Sequence, residues 1–253
     1  MKKVIIILIM NFACLHFSFG QPQPCTIDDE KIPMYDIYTP MGSPVETHVT
    51  CEFSSVASRA FSDSIYESCY PNIKKIIVFD GVSTTERFNC HGYAWLYVEK
   101  GIDRWICYFR AGDEDIYMTD GSYIEVAQET FPGKVSWADG GHSAITTEQQ
   151  GWFISKWGPG ILCKHRWDDT PYGTPNLKYY VKNPCTYETE PFNFVNQTVN
   201  TNQTITDCII YSQDVSVTNN AKLILDATLG TNIDGNFEIQ LGSELGWCSK
   251  KYA

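Results

Sequence analysis

Short apolar runs broken by polar turns dominate the chain, and few segments carry the wider spacing of a helix. KKIIVFDG at 74–81 alternates into a turn and predicts a strand. CHGYAWLYVEK at 90–100 sets Tyr93, Ala94, Tyr97 and Val98 at helical spacing, and Gly101 supplies a stop. A helix opening at Cys90 is therefore expected. The pieces that follow, RWICYFRA, GSYIEVAQ, KVSWA, GHSAITTE, GWFISKWG and ILCKHRW, are β-prone and separated by turn residues. They predict an antiparallel meander. Before them, residues 21–80 are mixed: Pro, Gly and Ser cluster in IYTPMGSPVE, and SSVASRAFSDSIYESCY predicts a short helix. This region reads as a propeptide-like lead or as the first layer of the main domain.

After Pro184 the pattern shifts. Residues 193–245, within a candidate module over 190–253, are rich in Thr, Asn, Val and Ile, with Asn219-Asn220 and Asp234-Gly235 as turn signals between runs such as DVSVTNNAKLILDA and NFEIQLGSEL. A separate all-β module is expected there. Those runs resemble the short β-repeats that end bacterial secreted and surface proteins, which implies cell-surface association through this module. Asn196-Gln197-Thr198 and Asn202-Gln203-Thr204 fit a glycosylation pattern, but read here as polar β-edge residues.

Composition adds the compartment. MKKVIIILIMNFACLHFSFG places two lysines before an apolar run that ends in small and aromatic residues, the layout of a secretory signal over residues 1–20. The run is too short to span a bilayer, which needs about 20 apolar residues, so no transmembrane segment is expected. Cys14 lacks the preceding aliphatic residue of a lipoprotein site. Loss of Lys2 and Lys3 from 19 basic residues, set against 30 acidic ones, leaves a charge of about −13. No Lys/Arg cluster exists to hold phosphates, so nucleic acid is excluded as a partner. Nine cysteines follow residue 20, and an odd number in an oxidising compartment leaves one thiol over.

Cys90 is the thiol placed for chemistry. An ordinary cysteine is mostly protonated at neutral pH, and lowering its pKa by two units takes about 2.7 kcal/mol. A helix N-terminus favours an anion, and its N–H groups can hold an oxyanion. His91 is adjacent, but neighbouring helical residues point about 100° apart, so it is read as a cleft wall. His142, in DGGHSAI, opens a β-run that would hold its ring, and is the candidate base. Ser155 on the next run is the candidate to orient the ring, with Lys156 alternating to the other face. Trp95 and Trp157 are candidate cleft residues, although large aromatics such as these, Trp137 and Tyr172 mostly fill cores.

These stretches carry a resemblance. NCHGYAW is similar to the nucleophile segments of NlpC-type endopeptidases and CHAP amidases, PGKVSW to their "PGDxVxF" strand, and GHSAI to their "GHxxIV" strand, in family order with 52 residues from Cys90 to His142. SKWGPG resembles the "NSWG" segment of papain, which places Ser155 where papain-like enzymes carry the orienting Asn. Three positions depart from the pattern. Asn89 replaces an acid, Lys134 replaces the acid of "PGD", and Thr84 stands where papain-like enzymes place the oxyanion glutamine.

The expectation is an α+β fold: a papain-like/NlpC-like core over 81–184, with the nucleophile at a helix N-terminus packed on an antiparallel sheet, and a small C-terminal all-β module. The expected activity is a secreted cysteine peptidase or amidase with Cys90, His142 and Ser155 as catalytic residues, acting on peptidoglycan stem peptides or on peptides. An inactive adhesion protein and a transglutaminase-like acyl transferase are the alternatives. No cofactor is expected. His165 could be a rival base, or join Asp168 and Asp169 around an ion, but no His or Cys set has a recognised zinc spacing, so no metal is expected.

Overall fold

A computed structural model describes residues 32–107, 112–137, 141–172 and 176–248. The expected signal segment over residues 1–20, Cys14 and Cys25 lie outside the described residues. The fold is mixed α/β, with 41% of residues in strands against 16% in helices, so sheets set the architecture. Among the described residues no helix is long and apolar enough to cross a membrane.

The chain opens with a β1–β2 pair (Met34–Tyr38, Pro44–Thr47) and helix α1 (Val56–Cys69). Strands β3 (Lys74–Lys75), β4 (Tyr123–Val126), β5 (Lys134–Trp137), β6 (Ser143–Thr146), β7 (Trp152–Lys156), β8 (Leu162–Arg166) and β9 (Leu177–Lys182) form one sheet in the order β3-β8-β7-β6-β5-β9-β4. Every pairing is antiparallel. The last four expected pieces form the meander β5 to β8; of the first two, RWICYFRA makes only an isolated bridge at Trp105 in its described part, and GSYIEVAQ supplies β4, an edge strand beside β9. Between β3 and β4 lies a helical segment over 90–100, whose turn Gly92–Tyr97 is π-helical and whose end Val98–Lys100 is α-helical. Gly101 stops it with φ of 70°, a conformation that costs a glycine little.

That helix is buried on nearly every side. Ala94, Trp95 and Leu96 pack with Ile37, Val45, Ile106 and Tyr117, while Tyr93 packs with Phe88 and Leu162. Val98, expected on the apolar face, is instead 42% exposed. Gly92 is required by a crossing of backbones: a Cβ there would stand 2.0 Å from the Arg104 carbonyl oxygen.

Residues 32–80 are built into this core, so no packing boundary falls at residue 80. Strand β3 pairs with β8, Ile37 and Val45 pack under Trp95, and α1 holds the loop before the helix. The Asp63 carboxylate accepts from the Ser83 and Thr84 amides and the Thr84 hydroxyl, while Arg59 donates to Asp80 and the Thr84 carbonyl.

The C-terminal module is all β but not built of hairpins. Strands β10 (Phe192–Val195), β11 (Thr198–Val199), β12 (Gln203–Val217), β13 (Lys222–Ile239) and β14 (Glu244–Cys248) pair in parallel. Asn193 lies beside Tyr211, Gln203 beside Leu223 and Lys222 beside Glu244, so the chain winds in stacked coils. The expected turns are corners of these coils. Asn196, Asp214 and Gly235 take φ of 53°, 52° and 65° on successive coils, and Asn220 and Gly242 repeat the device at another corner. Asn, Asp and Gly tolerate this left-handed backbone, which bends a strand without reversing it. Phe194, Ile210, Val215, Leu223 and Leu225 fill the interior. A Cys185–Cys208 disulfide ties the segment after β9 to β12.

Candidate active site

Asn89 caps the helix: its Oδ1 accepts from the Gly92 amide at 2.8 Å and its Nδ2 donates to the Ile106 carbonyl at 2.6 Å. Cys90 is thereby fixed at the first helical position, a free thiol only 5% exposed. Burial raises its pKa, but the charges of His91 and His142, and a hydrogen bond from each, outweigh that and hold it well below the usual thiol range. Cys90 is therefore not half of a disulfide.

His142 is the expected neighbour and is fully buried just before β6. Its ring lies flat on Tyr172 (centroids 3.7 Å apart, 15° between planes) and edge-on to Trp137 at 4.6 Å. Two aromatic faces therefore set the imidazole plane.

His91 was expected only to line a cleft, yet it bonds the thiol too. Its Nδ1 sits 2.9 Å from Ser143 Oγ and 3.3 Å from Glu114 Oε1. Neighbouring Cβ directions on a helix do diverge, but Ser143 and the wholly buried Glu114 hold the far side of the ring. Burial lowers the His91 pKa, whereas the Cys90 thiolate and then Glu114 raise it, to about 9. No sequence motif marks Glu114; it reaches His91 through a short 3₁₀ turn, Asp113–Asp115.

Ser155 is placed differently from its expected role. Its oxygen accepts from Trp157 Nε1 at 3.1 Å and lies 2.7 Å from His165 Nε2. His165 Nδ1 faces the Arg166 carbonyl at 2.8 Å, so Nδ1 carries the proton and Nε2 accepts from the Ser155 hydroxyl. Burial pushes His165 down to about 4. Ser155 thus orients His165, and toward any second imidazole it can act only as an acceptor. Trp95 and Trp157 are 0% and 3% exposed and fill cores instead of lining a cleft.

Two further positions change meaning. Lys156, fully buried, donates to the Gly158 and Gly160 carbonyls at 2.7 and 2.6 Å, and burial pushes it down to about 7 against the pull of Cys90. The Gly-Pro-Gly turn that supplies those carbonyls was the visible signal for it. Thr84 donates both its N–H and its O–H to Asp63, so neither is left to act as an oxyanion donor. Finally, His91, Cys107 and Glu114 bring one donor atom each to within 4.8 Å of one another, a group that no regular spacing announces.

No family model matches the chain, and no curated protein or solved structure matches it at a significant level.

Proposed function

We propose that the chain is a secreted cysteine hydrolase on a papain-like/NlpC-like core, cleaving amide bonds in peptidoglycan stem peptides or in peptides. The observation that carries this reading is a buried free thiol at a helix start, flanked by two imidazoles that favour its anion. The Cys90 thiolate attacks the carbonyl carbon, and the Cys90 N–H helps to hold the oxyanion. His142 gives its proton to the leaving amine as the C–N bond breaks, leaving a thioester. Water then attacks the thioester, His142 takes the proton, and release of the acid restores the thiolate. His91, the second imidazole at the thiol, helps to favour the Cys90 anion. The substrate class follows from the family resemblance, and the C-terminal coils would serve attachment to the cell surface.

Cys69 is an exposed free thiol, so the test uses a Cys69→Ser background. Iodoacetamide at pH 5 should label Cys90, and a peptide map placing the label elsewhere would sink the assignment. The same protein and its Cys90→Ala variant, incubated with purified peptidoglycan and with denatured protein, should differ in the hydrolysis products identified by mass. Amine incorporation without hydrolysis would point to acyl transfer instead.

A further inference from the structure

We propose that His91, Cys107 and Glu114 form a binding site for one zinc-class divalent cation, beside the nucleophile and sharing its histidine. The three residues come from three segments: the start of the helix, the loop after it, and the 3₁₀ turn. They supply the nitrogen, sulfur and carboxylate donors that zinc takes in proteins.

One donor pair already stands at the separation that a bound ion sets. Nitrogen and oxygen ligands of a tetrahedral zinc, each about 2.0–2.2 Å from the metal, stand about 3.3 Å apart. His91 Nδ1 and Glu114 Oε1 are separated by 3.3 Å. The Cys107 thiol donates a hydrogen bond to Glu114 Oε2 at 2.7 Å, so Glu114 stands between the two other donors and an ion would take the place of that thiol proton. Glu114 is 0% exposed, and its Oε1 has no hydrogen bond. A buried carboxylate needs a cation nearby, since desolvating it alone costs several kcal/mol; His91 meets that need when protonated, and a metal ion held by both residues would meet it in place of the proton. A divalent ion with one thiolate, one carboxylate and one neutral imidazole is a neutral set, the combination that burial favours. Metal at Nδ1 would displace the Ser143 hydrogen bond, but Ser143 Oγ still accepts from Trp95 Nε1. Cys107 also stays a free thiol in a chain that forms disulfides elsewhere.

Bound there, the ion would clamp the loop and the 3₁₀ turn to the start of the helix. None of its tests depends on hydrolysis, so this site and the proposed activity stand or fall separately. Chelator-treated protein titrated with Co²⁺ should bind one equivalent, with a thiolate-to-cobalt charge-transfer band that Zn²⁺ abolishes. Cys107→Ser and Glu114→Gln should each weaken binding at least tenfold, and Cys69→Ser should not. In case those variants fold poorly, a second readout uses the wild type alone: Zn²⁺ should protect Cys107, but not Cys69, from alkylation. No bound equivalent, a cobalt spectrum without the thiolate band, or alkylation of Cys107 unaffected by zinc would overturn the site.

Discussion

Ser155 and His165 show how much one proton decides. With its Nδ1 proton fixed on the Arg166 carbonyl, His165 is neutral and its folded pKa, about 4, lies below the 6.5 of an unconstrained histidine. Between those values the unfolded chain binds the proton and the folded chain does not, so folding stability falls as pH drops from 6.5 toward 4. A displacement of this size corresponds to at most about 3 kcal/mol. His165→Gln can keep both hydrogen bonds without a titrating ring. Its thermal midpoint should therefore lose less than that of the wild type between pH 7 and pH 4.5, and equal slopes would contradict the assigned proton positions. Cys90 and His142 were legible in the sequence because their flanking turn and strand residues announce what holds them. His91 and Glu114 were not, since their meeting depends on a loop that returns to the helix start. The alternating pattern places Lys156 on its strand but cannot show that its amine is tied to the next turn.

At the level of the element, the nucleophile depends on a cap. Asn89 closes the first turn with one group and fastens the loop segment at Ile106 with another. Asn89→Ala removes both hydrogen bonds and should cost about 2 kcal/mol, a loss of several degrees in thermal midpoint. It should also slow the alkylation of Cys90 at pH 5, because the helix start that favours the anion would fray; unchanged labelling would mean that the histidines alone hold the thiolate. The helix, its glycine stop and the β5–β8 meander followed from period and turn chemistry. The form of the C-terminal sheet did not. Asn-Asn and Asp-Gly supply the same left-handed backbone to a tight hairpin and to a corner, and strand alternation is identical for parallel and antiparallel neighbours. Only the register, with Gln203 beside Leu223, separates the two.

Across the whole molecule, the Cys185–Cys208 disulfide links the segment that leaves the antiparallel core to the parallel coils and closes a loop between residues 185 and 208. A loop of this length is worth about 3 kcal/mol in the chain-entropy view. The double variant Cys185→Ser/Cys208→Ser should lower the unfolding midpoint of the coiled module, followed by protease sensitivity after residue 184. Alkylation of Cys90 at pH 5 should stay unchanged, because the site is assembled from α1, the helix and the antiparallel sheet. Parallel alteration of both readouts would show that the two parts unfold together.

The repeated corners give the C-terminal module a unit of length. Neighbouring strands stand about 4.8 Å apart, so each further coil with an Asn, Asp or Gly at the corner raises the stack by that step and leaves the earlier coils as they were. Such a module works as a graduated spacer: its reach is set by how many coils are stacked, and it can be lengthened or shortened without redesigning the interior.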